Sequence, residues 1–474
     1  MTLLPPAPDT QNAVIDFLSQ PASYGLPDGE VERIETHCSI VFLAADRAYK
    51  LKRAIRYASL DYTTRESRRA ACEAELVLNR RTAPELYLGV RSINRDASGA
   101  LMFNGLGPAL DHVVVMRRFA QSDLFDHMAE SGRLTPELMH ALGESVARFH
   151  LAAETMPTFG GSDAIRRVIA DNDRELALVA AALDGAAVGT LSSRAQAALE
   201  QIAALLDQRR AEGKVRRCHG DLRLANICLY SGRPTLFDCI EFSDEIGCID
   251  VLYDLAFLLM DLLLRGRADL GNVLFNAYLD LAPDTEGLRA LPLFLALRAA
   301  TRSYALAGSA HRQTNPEQAA RLLALARRHI DAGIGFLAPQ RPLLILLGGD
   351  GDHLRAELAG LLAAATQPAP GARVFHLAPC GEAMWHEASD ILKAGCSVVI
   401  EGGFARATQQ TANELASRLA IGLSGFWLGP SPADLDGRFW RRLDVSQGVS
   451  LALVSATKLT APATERQEPV VGPA

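Results

Sequence analysis

At 474 residues the chain is long enough for two or three domains of roughly 150 residues each, and its 49% hydrophobic and 22% charged content excludes wholesale disorder, a collagen-like repeat and a disulfide scaffold. A net charge of −7 argues against a grip on nucleic acid or an anionic membrane surface, so neither is expected as a partner and small-molecule chemistry is the better starting point. The eight cysteines form no C-x-x-C pair, and MTLLPPAPDT lacks the basic flank and apolar run of a signal peptide, so reduced thiols in a cytoplasmic protein are expected.

Residues 1–30 read as an N-terminal extension. VERIET, SIVFLA and AYKLK then form a β meander over residues 31–56, with His37-Cys38-Ser39 in its first turn. RESRRAACEAELVLNRR at 65–81 has helix-like apolar spacing at Ala71, Leu76 and Leu78 and is ended by Pro84. LYLGVRSI and the β-branched HVVVMRRF complete five strands by about residue 120. Alanine- and leucine-rich helices fill 121–337, interrupted by one non-helical island at 215–242, where SGRP joins NICLY to TLFDCIEF as a hairpin. VLYDLAFLLMDLLL at 251–264 is shorter than the roughly 20 residues of a membrane span and carries Asp254 and Asp261, so it reads as a buried helix. APQRP at 338–342 is linker-like, residues 341–458 alternate strand and helix as in an α/β domain, and 459–474 has the composition of a disordered tail.

Lysine is scarce. Of 48 basic residues only Lys50, Lys52, Lys214, Lys393 and Lys458 are lysine, and the first two stand in AYKLK, where strand alternation turns both to one face. In CHGDLRLANICL, Asp221 and Asn226 lie five residues apart on a turn, with Asp238 at the end of the second hairpin strand. Phosphoryl transfer needs a carboxylate to orient the incoming hydroxyl and accept its proton, which suits Asp221. It also needs oxygen ligands for magnesium on the nucleotide phosphates, which suits Asn226 and Asp238.

The pattern H-G-D-x-x-x-x-N, a hairpin, then Asp, preceded by a strand lysine and a helix glutamate, resembles the aminoglycoside phosphotransferase-like kinases, across about residues 30–335. The blocks ETHCSIVFLAADRAYKLKR, RRAACEAELVLNRRTAPELYLGV and FDCIEF followed by DVLYDLAFLLMDL look like a bacterial group in which that kinase is fused to a C-terminal P-loop domain. The resemblance implies an α+β, bilobal protein-kinase-like fold, with a β-rich lobe at 31–120 and a helical lobe at 121–337. It implies ATP as co-substrate, Mg2+ as cofactor and a small-molecule acceptor held by the helices of 160–212 and 265–310.

Carried over residue by residue, it makes Asp221 the base, Asn226 and Asp238 metal ligands, and Lys50 the phosphate contact paired with Glu75, with Lys52 and Glu73 as the alternatives. Ser39 would lie in the phosphate loop, and Met116 and Phe119 at an adenine-binding hinge, their rival reading being plain core. Asp254 would hold the loop of His219 by hydrogen bonds, a structural role for both, and Glu241 would help position metal or substrate. Arg223 departs from the family, many of whose members have histidine there; its permanent cation beside the base could select an anionic substrate or be neutral. The C-terminal domain departs further. LLILLGGDGDHLR stands where a Walker loop, G-x-x-x-x-G-K-[ST], is expected, but has no lysine or hydroxyl and adds Asp350 and Asp352. A degenerate P-loop domain without kinase activity is therefore expected. Two other readings of the whole remain, a nucleotide-binding regulatory pseudokinase and a scaffold.

Overall fold

The computed structural model describes residues 11–26, 29–57, 60–377, 381–429 and 439–443; the tail at 459–474 lies outside them. The architecture is mixed α/β. An antiparallel six-stranded sheet opens the chain, built from β1 (Val31–Glu35), β2 (Ser39–Ala44), β3 (Arg47–Lys52), β4 (Tyr87–Arg95), β5 (Leu101–Phe103) and β6 (Ala109–Arg117), in the order β1-β2-β3-β6-β4-β5. Alternation divides its two faces. Phe42, Tyr49, Leu51, Ile93, Val113 and Val115 pack on one side. Val114 turns to the other, where it meets Cys72. Cys72 lies on α2 (Arg65–Asn79), whose N-cap Thr64 accepts from Ser67 N and whose buried Arg68 pairs with Asp111.

Within the segment read as an N-terminal extension, residues 11–26 lie against this sheet. Helix α1 (Asn12–Ser19) lays Val14 and Leu18 on the apolar face. Gln11 pins it, donating to Lys52 O (2.8 Å) and Asp111 Oδ2 (2.7 Å) and accepting from Ala54 N (2.7 Å). The Val14/Leu18 spacing of i, i+4 carries this in the sequence, but eight residues are too few to mark a helix without the sheet that covers them.

The helical lobe comprises α3 (Phe125–Glu130), α4 (Pro136–Ala152), α5 (Gly161–Val179), α6 (Gly185–Ala211), α7 (Val251–Leu264), α8 (Ala268–Leu281), α9 (Leu291–His311) and α10 (Pro316–Phe336). Helix α7 is buried without interruption from Val251 to Met260, which is why its sequence is apolar all round. Its N-cap Asp250 also receives both ends of the buried Arg209 guanidinium, which reaches on to Asp284 (2.7 Å). Among the described residues no helix is long and apolar enough to cross a membrane.

Within the non-helical island, Val215–Arg217 pairs with Cys248–Asp250, while Ile227–Tyr230 and Arg233–Leu236 form the hairpin. The second hairpin strand stops at Leu236, because Asp238 takes a left-handed φ of 64° that a strand cannot continue through.

The last part is a parallel sheet. Leu343–Gly349, Arg373–His376, Val398–Glu401, Gly422–Leu428 and Trp440–Leu443 are its first to fifth strands in chain order, arranged second, third, first, fourth, fifth. Apolar runs such as LLILL and VVIE suit strands covered on both faces. This sheet is fastened to α8: Val374 N donates to Asn276 Oδ1 (2.9 Å), Asn272 Nδ2 to Ala372 O (3.0 Å), and Arg373 pairs with Asp280 (2.5 Å).

Leu18 is fully buried. Leu18→Ala is expected to lower unfolding free energy by about 2–5 kcal/mol in denaturant titrations; no loss would mean that α1 is dispensable to the sheet.

Candidate functional site

The face of β3 that turns toward α2 carries Lys50 and Lys52, and both lysines converge on Glu75 of that helix. Lys50 Nζ lies 2.9 Å from Glu75 Oε1 and 2.5 Å from Asp238 Oδ1. Lys52 pairs with the other oxygen of Glu75 and with Glu241, which Tyr62 OH also reaches at 2.5 Å. The result is a chain of alternating charge, Asp238, Lys50, Glu75, Lys52, Glu241, with Glu75 fully buried and the Asp238 side chain 39% exposed at its open end. Burial alone would depress the Lys50 ammonium, but Asp238 and Glu75 hold it well above its ordinary value. The same pairing offsets burial at Asp238 and keeps that carboxyl below its usual range. Glu73 takes no part: it is exposed and pairs with Arg69 one helical turn away, since residues 73 and 75 point to different sides of α2. Lys52 is not an alternative to Lys50 but its neighbour on the same glutamate.

The loop from His219 to Asn226 is held from beneath by Asp254. Its two carboxylate oxygens accept from His219 N and Gly220 N, each at 2.9 Å, and His150 Nε2 lies 3.2 Å away. Burial would raise this carboxyl, but the His150 hydrogen bond and the nearby charges of His150, His219 and Arg298 bring it to about 2. His219 is buried and donates from Nε2 to Phe237 O (2.9 Å), so its role here is to tie the loop to the hairpin. Asp261, seven residues along α7 from Asp254, accepts from Leu224 N (3.1 Å). The i, i+7 spacing of these two aspartates is the signal by which Asp261 could have been found. Tyr87, whose OH accepts from Asp238 N (3.2 Å), and Asn79, whose Oδ1 accepts from Cys239 N (2.8 Å), gave no such signal.

Asp221 is gripped by Arg223, with Nε to Oδ1 at 2.8 Å and Nη2 to Oδ2 at 3.0 Å. Asn226 Nδ2 donates to Asp221 Oδ2 and to its carbonyl, both at 2.8 Å, which turns the amide oxygen of Asn226 the other way. Burial would raise the Asp221 carboxyl; Arg223, with smaller help from His219 and Arg302, holds it below its ordinary value.

These groups line one cavity of about 440 Å³ between the sheet and the helical lobe. Lys50, Lys52, Asp221, Arg223, Asn226, Asp238 and Glu241 supply its polar wall. Val41, Leu43, Ala48, Met116, Phe119, Leu124 and Phe237 supply its apolar one, with Ser39 at its edge. Arg117 N and Arg118 N are already donated, to Leu86 O and Asp46 O, so these two amides are spent on the sheet. His37, in the first turn, accepts from Arg312 at the end of α9 (3.1 Å) and so bridges the two lobes. Glu75 lies behind the cavity wall rather than in it, and His219 and Asp254 lie beneath it.

Residues 65–291 match the model of the phosphotransferase enzyme family. This stretch, just under half of the chain, is similar to that family. It contains Glu75, Asp221, Asn226, Asp238 and Asp254, while Lys50 and Lys52 precede it. Uncharacterized proteins of Mycobacterium tuberculosis and Mycobacterium bovis are 33% identical to this chain over 332 residues, covering 69% of it. The chain spans 63% of those relatives' own length. Among solved structures, a choline/ethanolamine kinase family protein from Mesorhizobium loti is similar at a TM-score of 0.37 and 16% identity, over 69% of this chain and 99% of that one. An amicoumacin kinase in complex with AMP-PNP and Ca2+ is similar at 0.39 and 15% identity, over 68% and 94%.

The depressed Asp254 links the stability of the helical lobe to pH. A carboxyl with a folded value of about 2 and an unfolded value near 3.9 contributes stability above the latter, lost as pH falls through the former. Asp254→Asn should therefore melt below wild type at pH 7, with the gap closing between about pH 4 and 2. A gap that stayed constant over that window in thermal melts would contradict the assignment.

Proposed function

We propose that the chain is an ATP- and magnesium-dependent phosphotransferase that moves the γ-phosphoryl group to a hydroxyl of a small molecule. The observation that carries this reading is the convergence of Asp221, Asn226, Asp238 and Lys50 on one cavity whose opposite wall is apolar. Its size is that of a small-ligand site. The donor set fits magnesium, since Asn226 turns an amide oxygen away from Asp221 and Asp238 presents a part-exposed carboxylate, both hard oxygen donors. When bound, magnesium would neutralise charge on the phosphates.

Asp221 accepts a hydrogen bond from the acceptor hydroxyl and takes its proton as the oxygen bonds to the γ-phosphorus; the bond from that phosphorus to the β,γ-bridging oxygen breaks and ADP leaves. Lys50, charged throughout, exchanges part of its contact with Asp238 for phosphate oxygen. Arg223 fixes both oxygens of Asp221, which orients the base before substrate arrives. The regulatory pseudokinase reading is the weaker one, because the base and both ligands are all present.

For residues 341–458 we propose a P-loop NTPase-like domain that does not bind triphosphate. The support is a parallel sheet whose first strand runs into a Gly349-Asp350-Gly351 turn and a helix at Asp352–Ala365, with φ of 116° and 85° at the two glycines. Arg355 of that helix reaches back to the turn. It donates to Gly349 O (2.8 Å) and pairs with Asp352 and Glu401, so its charge is spent within the protein.

Asp221→Asn is expected to keep the affinity for magnesium and AMP-PNP near wild type while lowering turnover by about 10²–10⁴-fold; full turnover would remove Asp221 from the role of base. In calorimetry the full chain should bind one magnesium–AMP-PNP, and Lys50→Met should abolish that binding. A second equivalent, or binding that survives Lys50→Met, would place a nucleotide site in the C-terminal domain.

A further inference from the structure

Arg223 has as neighbours a group of arginines that do not line the cavity and that the nucleotide site does not use. Arg298 and Arg302 stand one turn apart on α9, on the same face. Arg298 is buried, its guanidinium 3.8 Å from the ring centre of Tyr253 and 4.6 Å from that of Phe257, with Nη2 lacking a hydrogen-bond partner. Arg223 lies 5.6 Å from the same Phe257 ring, so the two guanidinium groups share one aromatic neighbour. Arg302 is neighboured by the charges of Arg223, Asp221, Asp261 and Arg265.

The nearby carboxylates are engaged. Asp221 is bound at both oxygens by Arg223, Asp261 pairs with Arg265 (3.0 Å), and Glu130 lies 3.5 Å from Arg265. Asp126 faces Arg223 and Arg265. His329 of α10, bound to Leu325 O, also lies near Arg302, with Arg328 beside it. Arg302 forms no ion pair or hydrogen bond among the described residues and is part-exposed. Burial and the charge of Arg223 lower it to about 10, more than Asp221 and Asp261 offset.

Asp221 and Arg223 line the cavity, whereas Arg265, Arg298 and Arg302 do not. In-line transfer places the acceptor on the side of the base away from the nucleotide. An amine-bearing acceptor would meet like charge there, and a neutral one would leave Arg302 unpaired. We propose that the acceptor is a hydroxyl compound bearing a negative charge, a phosphate monoester or a carboxylate, received by Arg302 with Arg223 beside Asp221. This rests on the phosphotransferase reading and names its substrate class.

The test uses the full chain saturated with magnesium and AMP-PNP, titrated with inorganic phosphate and with glucose 6-phosphate, and ATP-dependent ADP release with glucose 6-phosphate, gluconate, glucose, choline and kanamycin. Wild type should bind phosphate, and the two anionic acceptors should exceed the neutral and cationic ones in kcat/KM, their ratio separating phosphate from carboxylate. Arg302→Gln should weaken phosphate binding by about 10-fold or more with AMP-PNP affinity unchanged, and Arg302→Lys should restore part of it. Absence of phosphate binding by wild type, equal binding by Arg302→Gln, or preference for glucose, choline or kanamycin would overturn the proposal. Failure of wild type to bind magnesium–AMP-PNP would instead overturn the phosphotransferase reading itself.

Discussion

The buried chain of alternating charge from Asp238 through Lys50, Glu75 and Lys52 to Glu241 is the constraint on which the rest of the structure depends. It joins a strand, a helix and the segment after the hairpin, three parts of the chain far apart in sequence. Each interior member has a partner on both sides, so removal of one leaves an uncompensated charge out of water, at a cost of about 3–5 kcal/mol. That cost fixes the sheet against the helical lobe and sets the Asp238 carboxylate at the cavity. The ladder's open end lies at the cavity. Only there is a carboxylate exposed enough to exchange partners.

A second network of similar logic lies beneath the loop that carries Asp221. Asp254 takes two backbone amides and a histidine, Asp261 takes a third amide, and both stand on a helix buried without interruption from Val251 to Met260. The loop is therefore anchored to the core rather than to solvent-facing neighbours, which is how a short irregular segment can hold a carboxylate in one orientation. Arg223 completes the arrangement from above. A guanidinium bound at both carboxylate oxygens restricts rotation of Asp221 in a way that a single-point donor would not.

The C-terminal sheet turns the same kind of pairing to the opposite end. Its glycine turn has the backbone freedom to approach a ligand, but Arg355 and Glu401 satisfy each other across it and His376 also reaches Glu401. A site whose own charges are mutually satisfied offers little to an incoming phosphate. Its attachment through Asn272, Asn276 and Asp280 makes it a fixed part of the helical lobe's surface.

Local pattern carried much of this. Alternation in AYKLK, the i, i+4 rows of the helices, the hairpin turn and the H-G-D-x-x-x-x-N spacing are short-range features, set by backbone geometry and by side chains within a few residues, so they could be read from the sequence with Asp221, Asn226 and Asp238 among them, while the Lys50–Glu75 pair followed only from the family resemblance. What the sequence could not decide is how distant charges share partners. That both lysines reach Glu75, that Glu241 belongs to Lys52 and that α1 is held by Gln11 are each settled by packing between segments far apart in the chain, up to 189 residues for Lys52 and Glu241. Coulomb energy in a low-dielectric interior depends on distances of a few ångströms, and only the tertiary structure sets those.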